Sequence, residues 1–438
     1  MYLTALNLAM IKVQKSNQEV NPFGGLNFIS QGIKESDISD IIDNELGSRS
    51  SRATYSYSDI FTALFMVFYA GGDRMEDIDE NLKDKFNDVD GLLVPSPDTI
   101  GRGLIELATE KEIHVNSEVI HEYNDNPELN KLLLKIQKEL KLIDTDNEYI
   151  LDFDHQFIPT GKYDSKRSYK KKDGYFPGIA SINDLPVYIE NRNGNSNVKY
   201  LQHETIFKIF KALEKESIKV DKFRADAGSY IEKVIELAEE YANTFYIRAS
   251  KSDYMREEIM SIEKWELVEI NNINVEVASV DYSPFKGVKT YRLVIQRTVN
   301  NEGKQGNLFT NDARTYRAII TNDKDMSEKE VIEFYNGRGT SEKIFDVMNN
   351  DFGWSKLPFS FMNQNTVFLI VMAIGRAIYQ WLLNGISKVF KSLSPKSRLK
   401  KFIFKFVTVA AKWIKKGRGK KELIIYDKRP YEKLVIRI

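Results

Sequence analysis

The sequence predicts an α/β core interrupted by a β-rich insertion, with a helical region before it and a basic region after it. Three observations carry this. Apolar residues recur at helical spacing between residues 56 and 147, strands and helices alternate from 148 to 250, and the text from about Lys264 to Asn322 is strongly β.

Residues 1–55 hold the turn-rich Asn21-Pro22-Phe23-Gly24-Gly25 and the polar Ser48–Ser51, and they read as an extended arm or short strands. In 56–147, Ile60, Leu64, Phe65 and Phe68 mark a helix with Ser58-Asp59 at its start. Gly71-Gly72 ends it, and further helices are expected near Met75–Phe86, from Thr99, and over Asn126–Leu142. From Glu148 the period changes to two: Tyr149–Asp154 reads as a strand, and Gly178–Glu190 supplies two more around Asn183-Asp184. A helix over His203–Lys215, a strand over Val220–Ala225, a helix opened by Ser229-x-x-Glu232 and a strand over Thr244–Arg248 complete the first part of the core. The insertion contributes Trp265–Ile270, Val275–Val280, Tyr291–Ile295 and Tyr316–Thr321, with turns at Asn271-Asn272 and Gly303. Ser327-x-x-Glu330 then caps a helix, and helical text covers the second core segment, 325–385, before the basic 386–438.

Composition narrows the chemistry. The 438 residues are 42% hydrophobic and 29% charged, which suits a folded chain of several structural units. Cysteine is absent, so a disulfide framework and a cysteine-held zinc are excluded. His114, His121, His155 and His203 are scattered without an H-x-x-x-H pair, so any bound metal would rest on carboxylates, which suit Mg²⁺ or Mn²⁺. Met1–Met10 has no basic leader, and the apolar run Val367–Ile374 is far shorter than the roughly 18–20 residues of a membrane span. A soluble, cytoplasmic protein without a membrane partner is expected.

A net charge of zero conceals a polarity. Residues 1–150 carry 27 Asp and Glu against 14 Lys and Arg, a net of −13, which the remainder balances. Lys388–Lys421 holds thirteen basic residues and no acid, a composition that points to a polyanionic partner.

Asp152 and Asp154 share one face of an otherwise apolar strand, where an ionised carboxylate must be solvated, paired or bound to a cation. Asp226 likewise ends a strand, where open α/β sheets bind ligands. Tyr335, Arg338 and Glu342 are spaced to share one helical face; alone, this is the pattern of a surface Arg–Glu pair beside a tyrosine. Gly337 and Gly339 weaken a helix there, which makes sense where a DNA backbone or another chain segment approaches closely.

Together, Leu151-Asp-Phe-Asp-His155, Arg224-Ala-Asp-Ala-Gly-Ser-Tyr230 and Tyr335-Asn-Gly-Arg-Gly-Thr-Ser-Glu342 resemble the three blocks of the DDE transposases of bacterial insertion sequences, in the group-1 branch with the Y-x2-R-x3-E signature. Residues from Tyr55 through Ala70-Gly-Gly-Asp73 to Ser96-Pro-Asp-Thr-Ile-Gly-Arg102, and Asn349-Asn-Asp-Phe-Gly353, extend the resemblance over about residues 55–420. It implies an RNase H-like core with the insertion between the second Asp and the Glu; 115 residues separate Asp226 from Glu342, against 71 between Asp154 and Asp226.

The resemblance further implies that Asp154, Asp226 and Glu342 hold two Mg²⁺ or Mn²⁺ ions about 4 Å apart, for cleavage of transposon DNA ends and their joining to target DNA. Asp152 remains an alternative first acid, or an acid supporting it. The expected partners are terminal inverted repeats and target DNA, bound by a homodimer in a synaptic complex near the bacterial nucleoid. Arg338 would contact a phosphate near the scissile bond or hold the Glu342 helix, and Tyr335 would pack or contact the same backbone; Lys170, Lys171 and Lys172, and Lys400, Lys401, Lys415, Lys416 and Arg418, would grip phosphates. Thr99–Leu107 is a candidate recognition helix with Arg102 exposed, although the region is acidic. Where the family pattern places basic residues four and seven positions after the Glu, this chain has Asp346 and Asn349. The rival readings are a transposase relic that only binds DNA, a nuclease of the same fold without strand transfer, and a basic-tailed scaffold.

Overall fold

Alternation of apolar and polar residues builds the strands. In Glu148–His155, Tyr149, Leu151 and Phe153 point into one core while Ile150, Asp152 and Asp154 face the other way. The protein is described from a computed structural model over residues 19–116, 118–287, 289–299, 314–416 and 421–434. Within these residues an eleven-stranded mixed sheet forms the backbone of the fold.

Its strands are β1 (Glu112–Asn116), β2 (Val119–Asn124), β3 (Glu148–His155), β4 (Gly178–Ile182), β5 (Leu185–Arg192), β6 (Lys219–Ala225), β7 (Thr244–Arg248), β8 (Glu266–Ile270), β9 (Ile273–Tyr282), β10 (Tyr291–Val299) and β11 (Arg314–Thr321). They lie in the order β1-β2-β5-β4-β3-β6-β7-β11-β10-β9-β8. β3 and β7 both run parallel to β6, and the remaining pairs are antiparallel. The tight β4–β5 turn works because Asn183 and Asp184 adopt φ of 52° and 62°, a left-handed pair that short polar side chains tolerate.

The insertion does not stand apart from the core. β11 pairs with β7, Arg248 opposite Ile319, so β8–β11 continue the sheet. The physical reason is the edge of β7, whose backbone donors and acceptors β11 covers. A second difference lies in the 56–147 region, where β1 and β2 form a hairpin on the opposite sheet edge. A third is that residues 26–46 are helical, as α1 (Leu26–Glu35) and α2 (Ile38–Leu46), in place of an extended arm. Leu26, Ile29 and Ile33 carry the helical spacing there, and all three are buried. Asn21 and Phe23 bridge to Ala411 and Val409, tying this region to the C-terminal segment.

The remaining expected helices are present with shifted ends. α3 (Tyr57–Tyr69) is capped by Ser56 in a box with Asp59, two residues before the expected start, while Ser58 is held by Asp43. α4 (Pro97–Ile105) starts on Ser96, and α5 (Pro127–Glu139) on Asn126. α6 (Gln202–Lys215) and α7 (Glu232–Tyr241) cover one sheet face; Ser229 lies in a 3-10 turn before α7 and does not cap it. α8 (Glu328–Asn336), with Ser327 and Glu330 as its capping box, packs on β8–β10. The Gly303 turn lies outside the described residues.

α9 (Thr340–Asp351) lies against β3, and α10 (Met362–Val389) packs on α3, α4, α5 and β5. At 28 residues α10 is long and apolar enough to cross a membrane, but 83% of its apolar window is buried inside the protein. It is a core helix. Gly375 is required within it: a Cβ there would stand 2.7 Å from the Phe65 ring, and the Tyr69 hydroxyl donates to the Gly375 carbonyl at 2.6 Å. Beyond α10, Phe390, Phe402 and Phe406 enter the same core while Phe404 stays exposed.

Candidate active site

Two parallel neighbouring strands deliver two aspartates to one end of the sheet. Asp154 lies near the end of β3, and Asp226 follows the last residue of β6. Asp226 Oδ1 accepts the Gly228 N–H at 2.8 Å, which fixes the carboxylate at the start of the Ala227–Ser229 turn. Asp154 Oδ1 accepts its neighbour His155 N–H at 2.8 Å, and its Oδ2 accepts from Arg338 Nη1 at 2.8 Å.

The electrostatics follow from this arrangement. Burial raises the Asp154 carboxyl above the usual range; the Arg338 guanidinium opposes that, and the nearby Asp226 charge reinforces it. Beside the pair, a cavity of about 400 Å³ is lined by Asp226, Arg338, Arg248, Lys251 and Arg317. A cavity with one acid and four cations in its lining is suited to a polyanion.

Asp152 is engaged by its strand neighbour. Both of its oxygens are taken by Arg224, from Nε and Nη2 at 2.7 Å each, and the two side chains are largely buried. It is an anchor and not an open acid. Arg224 Nη1 donates onward to the Phe334 carbonyl at 2.7 Å, which clamps the end of α8 onto the sheet. Sequence reasoning missed Arg224, although it stands inside the quoted Arg-Ala-Asp block; only strand register shows that it is directly beside Asp152.

Tyr335, Arg338 and Glu342 do not lie on one uninterrupted helix. Gly337–Gly339 form a 3-10 turn between α8 and α9. Tyr335 is buried, and its hydroxyl donates to the Ala225 carbonyl at 3.3 Å, so it braces the residue before Asp226. Gly337 lies under Arg224, where a Cβ would be 2.8 Å from Nη1, whereas a Cβ on Gly339 would meet open space. The close approach expected at these glycines is therefore intramolecular at Gly337.

Glu342 is exposed in the first turn of α9. It does not join the aspartates: among the described residues no group of three acidic or histidine side chains is placed to hold a metal ion. The hard oxygen donors present, Asp154 and Asp226, are of the kind that Mg²⁺ takes, and the third stands one turn beyond Arg338 on a helix packed against β3. Asn349, at one departure from the family pattern, donates to Gln156 Oε1 at 3.0 Å; Asp346, at the other, accepts from Arg398.

The other candidate contacts are dispersed. Lys170, Lys171 and Lys172 are exposed on a turn beyond β3, with Lys170 Nζ 5.6, 5.9 and 5.8 Å from the rings of Phe157, Tyr169 and Phe176. Lys400 and Lys401 are exposed on a short helix, and Lys415 is exposed on a strand. Lys416 is paired with Glu422 at 2.7 Å, and Arg418 lies outside the described residues. The helix holding Arg102 has its Ile100 and Leu104 face buried.

The model of the family described as transposase DDE domain, group 1, matches residues 6–438. The chain belongs to this family. Group-1 DDE transposases are enzymes of transposition, so the two aspartates and the Arg338 turn belong to a transposase fold. A similar solved structure, the cryo-EM structure of a piggyBac transposase synaptic complex with hairpin DNA, is 12% identical, with 88% of this chain and 80% of that one covered at a TM-score of 0.40. No curated protein matches the chain.

Proposed function

We propose that this transposase cleaves the DNA ends of its own mobile element and joins them to target DNA, with Asp154, Asp226 and Glu342 as its acidic triad. The observation that carries the proposal is the placement of Asp154 and Asp226 at the same end of two adjacent parallel strands, beside a basic cavity. The order β5-β4-β3-β6-β7, with β3 antiparallel to β4 and parallel to β6, supports an RNase H-like core at that place.

Two divalent ions, Mg²⁺ or Mn²⁺, bound by these acids would supply activation of the attacking oxygen and neutralisation of the leaving one. The protein's own residues do the rest. Arg338 leaves Asp154 to meet a phosphate near the scissile bond, and α9 turns about Gly337–Gly339 to carry Glu342 towards the aspartates. Arg248, Lys251 and Arg317 hold the DNA backbone across the cavity, and Lys170–Lys172 guide it from the side. Pairing of two element ends calls for a homodimer acting on DNA in the cytoplasm.

The test uses purified protein, Mg²⁺ and a duplex carrying the element's terminal repeat. Cleaved and joined strands are expected from the wild type, and neither from Asp226→Asn or Glu342→Gln, while gel-shift binding persists in both. Undiminished cleavage by either variant rejects the triad; cleavage without joined product reduces the protein to a nuclease.

A further inference from the structure

A second cavity is lined in part by α9. It measures about 600 Å³, within the range of ligand sites, and Lys343, Arg376, Lys396 and Lys141 contribute to its lining. Arg376 rises from the core helix α10. Its Nη1 donates to Gln380 Oε1 at 2.9 Å and its guanidinium stands 5.5 Å from the Tyr379 ring centre.

Arg376 forms no ion pair among the described residues, and burial lowers its pKa from the usual value. Asp351 and Asp184 are close enough to be felt, but both Asp351 oxygens are already engaged by Arg398, at 2.7 and 3.0 Å. Asp346 also accepts from Arg398. Of the acids in the lining, that leaves Asp184, at the β4–β5 turn, against Arg376 and three lysines that form no ion pair among the described residues. A largely buried guanidinium without a carboxylate is costly unless an anion completes it, and its planar fork fits two oxygens of a phosphate.

We propose that this cavity binds a phosphate group, held by Arg376 with Lys343 and Lys396 at its mouth. Because Lys343 follows Glu342 directly, an occupied cavity ties the start of α9 to α10 and to the segment that carries Lys396. A phosphodiester of bound DNA is the source we assign, which rests on the transposase reading; a free phosphate or nucleotide offers the same chemistry.

The full-length protein is titrated with inorganic phosphate at constant ionic strength, with melting temperature as the readout, and separately with a labelled DNA duplex. A saturable rise in Tm is expected for the wild type. Arg376→Gln is expected to weaken phosphate binding about tenfold or more. The exposed pair Lys343→Gln and Lys396→Gln weakens it without touching the core, should Arg376→Gln fail to fold. Duplex DNA is expected to compete with phosphate, and the double variant to lower the slope of log K against log salt by about 2. Phosphate binding lost in the variants with DNA affinity and slope unchanged overturns the DNA source. No saturable phosphate effect in a wild type that binds DNA overturns the cavity and leaves the transposase reading standing; phosphate binding without any DNA binding does the reverse.

Discussion

Arg338 and Asp154 form a 2.8 Å ion pair in which each side chain retains 15% of its exposure. The guanidinium thus supplies the positive charge that a carboxylate raised by burial, with Asp226 nearby, otherwise lacks.

Removing that charge is expected to be felt first in stability. Arg338→Ala should cost the metal-free protein about 1–3 kcal/mol, below the full penalty of a broken buried pair because both groups are partly solvated. Added Mg²⁺ should recover part of the loss by neutralising Asp154. Urea denaturation with and without Mg²⁺ measures both, and equal losses in the two series would remove the link between the pair and the ion site.

Asp152→Ala tests the anchor. It strands Arg224, which is largely buried, and releases the end of α8, so a loss of about 3–5 kcal/mol is expected. A stability close to wild type would return Asp152 to the list of open acids.

The two glycines of the turn are expected to separate. Gly337→Ala pushes a methyl group against Arg224 and should destabilise the protein by about 1–3 kcal/mol. Gly339→Ala meets open space and should be neutral or stabilising by up to about 1 kcal/mol. Thermal melts of the two variants give the comparison directly, and its reversal would contradict the Arg224 contact.

Tyr335→Phe keeps the ring and removes the hydroxyl's bond to the Ala225 carbonyl together with its contact to Arg338. A loss of about 1 kcal/mol is expected from an unpaired buried carbonyl. DNA affinity should stay unchanged, because the hydroxyl faces the sheet; a marked fall in affinity by anisotropy would restore the DNA contact.

A pH response is expected at Arg49 and Glu106. Arg49 donates to both Glu106 oxygens at 2.8 Å and holds that carboxyl below its usual value of 4.5. A lowered carboxyl contributes stability that is present above about 4.5 and disappears as pH falls through the lowered value. The Tm gap between wild type and Arg49→Met should therefore narrow on acidification below pH 4.5; a gap that holds or widens would contradict it.

Local pattern alone was enough for the α/β alternation, for β3, β6 and β7, for the Asn183-Asp184 turn, and for Asp154 and Asp226 at strand ends, because periods of two and caps of three residues are written in adjacent positions. It could not show that β11 would close onto β7, that Asp152 would be spent on Arg224, or that a 3-10 turn would divide Tyr335 from Glu342. The first two outcomes depend on register and on contacts between residues 71 or more positions apart, which only the packed sheet brings together.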